Sequence, residues 1–191
     1  MKKWIAILAA AAVLSSCGSY QLQSVADVGV GIDNSGATAT VTESTDAQGK
    51  RTLQVSPAKP VKVSFQARPG SQGAYIEGYT VTRDIVDGAE ASDIPKTVQG
   101  LNIFVPSGFT CPKQDALQSC APTDRDSVPA NGVEIDKLGI DIANGLTGLA
   151  IAKRGNVFRS ISFTFYGRTT NYEKFEVSVT NVEGSAQYVI Q

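Results

Sequence analysis

Histidine is absent from all 191 residues. That gap removes the Ser-His-Asp and Cys-His dyads, the usual pH switch near neutrality and the commonest neutral metal ligand. Catalysis would have to rest on carboxylates, Lys, Tyr or Cys. A basic excess is missing as well: 17 Lys and Arg stand against 18 Asp and Glu, a net charge of -1 with no basic block. Nothing here would neutralise a phosphate backbone, so nucleic acid is not an expected partner. No internal repeat or low-complexity tract is visible. Cysteine is scarce at three residues, and the odd number calls for an explanation.

What is present is enough for one core, since 42% of the residues are hydrophobic and the length suits a single domain. The chain opens on Met1-Lys2-Lys3, followed by an apolar run over residues 4–14. These 11 residues are too few for a membrane core, which needs about 20, but suit the apolar region of a signal peptide. The next residues, Leu14-Ser15-Ser16-Cys17, resemble the lipobox of bacterial lipoproteins. In that family small residues admit the processing peptidase and the Cys thiol carries diacylglycerol. The resemblance implies that residues 1–16 are removed and that Cys17 becomes a lipidated N-terminus. Gly18 is not the Asp that holds such proteins at the inner membrane, which implies the outer membrane as destination. Loss of Lys2 and Lys3 makes the mature chain mildly acidic. Two or three acyl chains, at about 0.8 kcal/mol per buried CH2, anchor a domain stably where one would not. Membrane lipid is thus one expected partner.

The other two cysteines, Cys111 and Cys120, close a short loop, and in an exported protein they read as a disulfide contributing roughly 2 to 3 kcal/mol. Their spacing is not the Cys-x-x-Cys of a redox pair, and without His or a second Cys pair they cannot complete a structural zinc site.

Period-two alternation dominates the rest. Residues 61–67 place Val61, Val63, Phe65 and Ala67 on one face and Lys62, Ser64 and Gln66 on the other, the pattern of a half-buried strand. Residues 161–166 and 175–180 repeat it. Further strands are expected at 25–32, 37–42, 52–56, 75–83, 101–105, 133–142 and 187–190, with Gly-, Asn- and Pro-containing turns between them. Helix has two openings, one turn at 113–119 and the stretch 138–154. The second contains Gly139, Gly145 and Gly148, each costing about 1 kcal/mol inside a helix, so strand, turn, strand is expected there.

The segment with Phe65, then Pro69-Gly70, then Ile76-Glu77-Gly78-Tyr79-Thr80-Val81 resembles strands B and C of fibronectin type III domains and related immunoglobulin-like sandwiches. Phe65 stands where that family usually has Trp. The resemblance implies strand A at 52–56, E at 157–166, F at 175–180 with an exit turn at Gly184-Ser185, and G at 187–190. The expected fold is an all-β, immunoglobulin-like (fibronectin type III-like) β-sandwich with an N-terminal extra hairpin and a disulfide-stapled insertion. Its divisions are 1–16, signal peptide; 17–50, lipidated N-terminus and extra β-hairpin; and 51–191, sandwich, with the insertion at 84–156. The fold by itself does not specify an activity.

Three groups of residues could carry function. Asp84, Asp87, Glu90 and Asp93 make an oxygen-rich loop of the kind that can hold calcium, although a solvated acidic loop without any cofactor is the expected reading. Glu134, Asp136 and Asp141 suggest a glycosidase pair, but Glu134 and Asp136 share the solvent-facing side of a strand. Tyr166, Arg168, Asn171 and Tyr172 surround a loop that could bind a partner, because aromatics and Arg are common interface anchors. Phe104 and Phe109 lie in the insertion and form either a second contact surface or a cover for the core. The expected protein is non-enzymatic: an anchored structural or protein-interaction module contacting another envelope protein or a wall polymer. The alternative is a carbohydrate-binding or adhesive module using its end loops, with or without calcium.

Overall fold

The structure, a computed structural model, describes residues 27–191 except 93, 95–96, 114–119 and 121–122. The signal segment, Cys17, the first residues of the strand expected at 25–32, most of the turn expected at 113–119 and Asp93 all lie outside the described residues.

Twelve strands and one helix follow in chain order. They are β1 (Val28–Asp33), β2 (Thr38–Thr45), β3 (Arg51–Ser56), β4 (Val61–Ala67), β5 (Ala74–Val86), β6 (Ala89–Glu90), β7 (Gln99–Val105), β8 (Phe109–Thr110), β9 (Val128–Pro129), β10 (Ile135–Ile140), α1 (Leu146–Lys153), β11 (Val157–Thr169) and β12 (Lys174–Ile190). One sheet has the order β1-β4-β10. The other has the order β3-β2-β12-β11-β5-β6, with β7 also on β5, and β8 and β9 pair separately. The fold is mostly β and sandwich-like. The alternating inner face of β4 (Val61, Val63, Phe65) shares a core with Ile76, Phe163, Phe165 and Val182 of the larger sheet. Phe65 meets Phe165 edge-on with ring centroids 5.1 Å apart, the geometry favoured by the ring quadrupoles.

The structure revises several expectations. Residues 146–153 form a helix after all. Gly139 lies in β10 and Gly145 is the N-cap at φ 79, so Gly148 alone carries the interior glycine cost. Burial of Leu146 and Ala150 against Ala39, Val41, Val157 and Ala186 offsets it. Arg154, in the left-handed region, ends the helix with its N–H on the carbonyls of Ala150 and Ile151.

The strands expected as F and G are one strand, β12. Gly184 does not turn the chain; a Cβ there would lie 2.8 Å from the Ile142 side chain, so glycine serves close packing. The strand expected as A is β3, which lies at the edge of the larger sheet beside β2. The strand expected as E, β11, runs between β5 and β12 and does not join β4. The extra hairpin ahead of residue 50 is also absent: β1 joins β4, whereas β2 lies parallel to β12. The turn at 34–36 carries the chain from one sheet to the other, and the hairpin that does form is β2–β3. Alternation reports which face of a strand is buried and is silent on its neighbour. The region expected as an insertion supplies sheet strands as well, with β6 and β7 on β5 and β10 on β4.

Candidate functional site

The direction of the strands sorts the loops into two ends. At one end converge the β4–β5 turn (68–73), the β11–β12 turn (170–173), the start of β1 and the disulfide segment. Val28 pairs with Ala67, Ala74 with Thr169, and Ala74 with Val105, which fixes that convergence. Cys111 and Cys120 form the expected disulfide, with Cα atoms 5.5 Å apart. Ser107 Oγ donates to the Cys120 carbonyl at 2.7 Å. Gly108 sits so tightly against the β4–β5 turn that a Cβ would lie 1.7 Å from the Arg68 carbonyl oxygen. Its own carbonyl accepts from the Gly70 and Ala130 N–H groups.

Beside this end, the outer face of β7, β5 and β11 carries an aromatic shelf. Arg168 on β11 lies opposite Tyr75 on β5, which lies opposite Phe104 on β7. The Tyr75 and Phe104 rings are 4.9 Å apart at 43°, and both are exposed. Arg168 Nε lies 3.2 and 3.3 Å from the two carboxylate oxygens of Glu77, which fixes the guanidinium over the sheet. Tyr75, Glu77 and Arg168, together with Asn102 and Tyr172, border an open cleft of about 420 Å³.

Tyr172 is the most exposed large side chain of the group, at 81%. It holds φ 66, a left-handed conformation that costs a bulky residue about 1 to 3 kcal/mol and persists only where its surroundings impose it. Buried Thr169 imposes it: its Oγ1 accepts from the Asn171 and Glu173 N–H groups at 3.1 and 3.2 Å, while its carbonyl accepts from the Tyr172 N–H at 2.9 Å. The loop is thus built to hold an aromatic ring in solvent.

Of the four residues expected in this binding loop, Arg168 and Tyr172 come together on the shelf. Asn171 is exposed but does not border the cleft. Tyr166 faces a neighbouring groove of about 710 Å³, where its hydroxyl bonds with that of Thr80 at 2.8 Å. Phe104 belongs to the shelf and does not cover the core. Tyr75 and Glu77 are the residues sequence reasoning missed. Their signal was available, because each is a neighbour of buried Ile76 and must point outward.

The acidic loop lies at the opposite end, and each described carboxylate faces a cation. Asp84 takes a bidentate pair from Arg159 at 2.6 and 2.8 Å. Asp87 receives Lys153 Nζ at 2.6 Å and the Phe158 N–H at 2.8 Å. The Lys153 bond is the largest cause holding its carboxyl below the ordinary value. Glu90 lies 3.5 Å from Arg83. Each described carboxylate of the loop is thus ion-paired within the domain. Glu134 and Asp136 border a shallow cleft with Asp33 and Lys62 on the outer face of the small sheet, whereas Asp141 caps the Ala143 N–H at 3.1 Å. Asp141 is therefore not brought into the group expected with Glu134 and Asp136.

One further cluster had no sequence signal. The Glu43 carboxylate, 4% exposed, receives Arg51 Nε at 3.0 Å, Arg154 Nη2 at 2.9 and 3.0 Å, and the Tyr188 hydroxyl. The Tyr188 bond, followed by the Arg154 bond and the charges of both arginines, lowers the Glu43 pKa against the opposing effect of desolvation. It ties β2, β3, β12 and the end of α1 together. The chain matches no protein-family model and no curated protein sequence.

Proposed function

We propose that this chain is a non-enzymatic binding module of the bacterial cell envelope, held at the outer membrane through acyl chains on Cys17, and that its shelf holds another envelope protein. The observation that carries the reading is the shelf: Tyr75 and Phe104 stand exposed on one sheet face beside the half-exposed Arg168, with Tyr172 in the adjoining turn at its border. Tyr, Phe and Arg are the residue types enriched at protein interfaces and among their strongest contributors. The floor is an open sheet face and not a deep concavity that would enclose a small ligand. Among the described residues no helix is long and apolar enough to cross a membrane, so on this reading attachment rests on the lipid.

The fold reading is refined with it. An immunoglobulin-like arrangement is supported by the orders β1-β4-β10 and β5-β11-β12, which correspond to the A-B-E and C-F-G groupings of such sandwiches. On this reading β10 is E, β11 is F and β12 is G, with β2 and β3 extending the second sheet.

The Tyr75 and Tyr172 rings beside Glu77 and Asn102 also suit stacking and hydrogen bonding to a sugar, which supports the carbohydrate-binding alternative. Co-sedimentation separates the two. The expected result is binding to envelope membranes that is lost after protease treatment of those membranes and weakened by Tyr75→Ala and Arg168→Glu. Binding to wall polymer stripped of protein, weakened by the same substitutions, would replace the protein-partner reading with the sugar one.

A further inference from the structure

The point at which the chain enters the domain is fixed firmly. The Asp27 carboxylate lies 3.3 Å from Arg68 Nε, the Arg68 N–H donates to the Asp27 carbonyl at 2.8 Å, and Ser71 Oγ donates to the same oxygen at 3.4 Å. The N-terminal segment therefore arrives at the end of the sandwich that bears the β4–β5 turn, the Tyr172 turn and the disulfide. Cys17 stands ten positions before Asp27, a reach of at most about 35 Å when fully extended. Strand β12 alone runs 17 residues from this end to the other, roughly 50 Å at the rise of a strand. A tether of that length cannot turn the domain over to present its far end to the surface that holds Cys17.

We infer that the Tyr172 end faces the bilayer and that the Tyr172 ring sits in the lipid interface, an inference that rests on the lipid-anchor reading. Exposed apolar side chains occur at both ends: Val128 and Tyr172 at this one, Leu53 and Ile190 at the other. Composition does not choose between them; the tether does. The near end also suits the interface chemically. Tyrosine offers a ring to the acyl boundary and a hydroxyl to the headgroups. Two basic residues there already carry acidic partners, Arg68 with Asp27 and Lys113 with Asp126, so the contact does not depend on anionic lipid. The shelf, which Tyr172 borders, then lies beside the membrane surface, and a partner reaching it is one that stands on or in that membrane.

The only tryptophan is Trp4, inside the segment expected to be removed, so substitutions create single-tryptophan reporters. The lipidated chain, purified from membranes, is placed in phosphatidylethanolamine and phosphatidylglycerol vesicles with or without bromine-labelled acyl chains. Tyr172→Trp is expected to lose most of its emission in brominated vesicles, and Leu53→Trp none. Asn171→Trp, which leaves the left-handed position untouched, is a second reporter at the same end. Vesicle-bound protein in which neither end reporter is quenched, or in which Leu53→Trp is quenched equally, overturns the inference. Fractionation of Cys17→Ala tests the underlying reading separately: if that variant remains in the membrane, the anchor assignment fails and the orientation falls with it.

Discussion

Replacing Asp84 by Asn separates a structural ion pair from a calcium ligand. The Asp84 and Arg159 side chains are 16% and 21% exposed, and the guanidinium also donates to the Ile142 carbonyl at 3.2 Å and the Asn144 carbonyl at 3.4 Å. Asparagine keeps the shape and one acceptor but removes the charge, leaving a half-enclosed guanidinium without its counter-ion. Exposed pairs contribute about 0.2 to 1 kcal/mol, and breaking fully buried ones costs about 3 to 5, so this pair should lose about 2 kcal/mol. For a domain of this size that corresponds to a fall in Tm of roughly 4 to 8 °C. The assay is thermal unfolding with and without millimolar calcium. The account expects the Tm fall in Asp84→Asn and no calcium response in either protein. A calcium ion at 100 times its Kd would stabilise the native chain by about 2.7 kcal/mol. Calcium stabilisation of the native chain that disappears in Asp84→Asn, or a variant that melts within about a degree of the native protein, would refute the reasoning.

Three other outcomes follow from the same geometry. Thr169→Val keeps the volume but removes the acceptor of two backbone N–H groups, at about 0.5 to 1.5 kcal/mol each, so urea unfolding should show a loss of about 1 to 3 kcal/mol. Gly108→Ala forces a methyl into the Arg68 carbonyl and should cost about 3 kcal/mol or more by the same assay. Glu43 is held below its ordinary value of 4.5. Its contribution is therefore complete above the unfolded-state pKa and is lost as pH falls through the folded-state value. The stability gap between native protein and Glu43→Gln should be widest at neutral pH and close on acidification below about pH 5, as read from urea midpoints across pH.

The sequence reveals strands more readily than their neighbours. The alternation at 61–67 matches β4 residue for residue because each of its apolar residues is buried and each polar one faces outward. The same signal is silent on whether β11 lies against β4 or β5, since both pairings bury Phe163 and Phe165. The helix at 146–153 was masked by its glycines, two of which lie outside it, and by reliance on two small alanines of distant strands for its packing. At the shelf, Arg168 and Tyr172 are visible as an aromatic and basic loop. Tyr75 and Phe104 become part of it only through a cross-strand register 29 residues apart. The acidic loop looked oxygen-rich because its cations, Lys153 and Arg159, arrive from the other side of the chain.

The most direct test of the shelf as a protein-binding surface is site-specific photocrosslinking in intact cells, with a photoreactive phenylalanine analogue in place of Tyr75. The account predicts a discrete crosslinked protein that is also obtained from Phe104 and is absent when the analogue replaces Thr52 on exposed β3. No product from either shelf position, or the same product from Thr52, would contradict it.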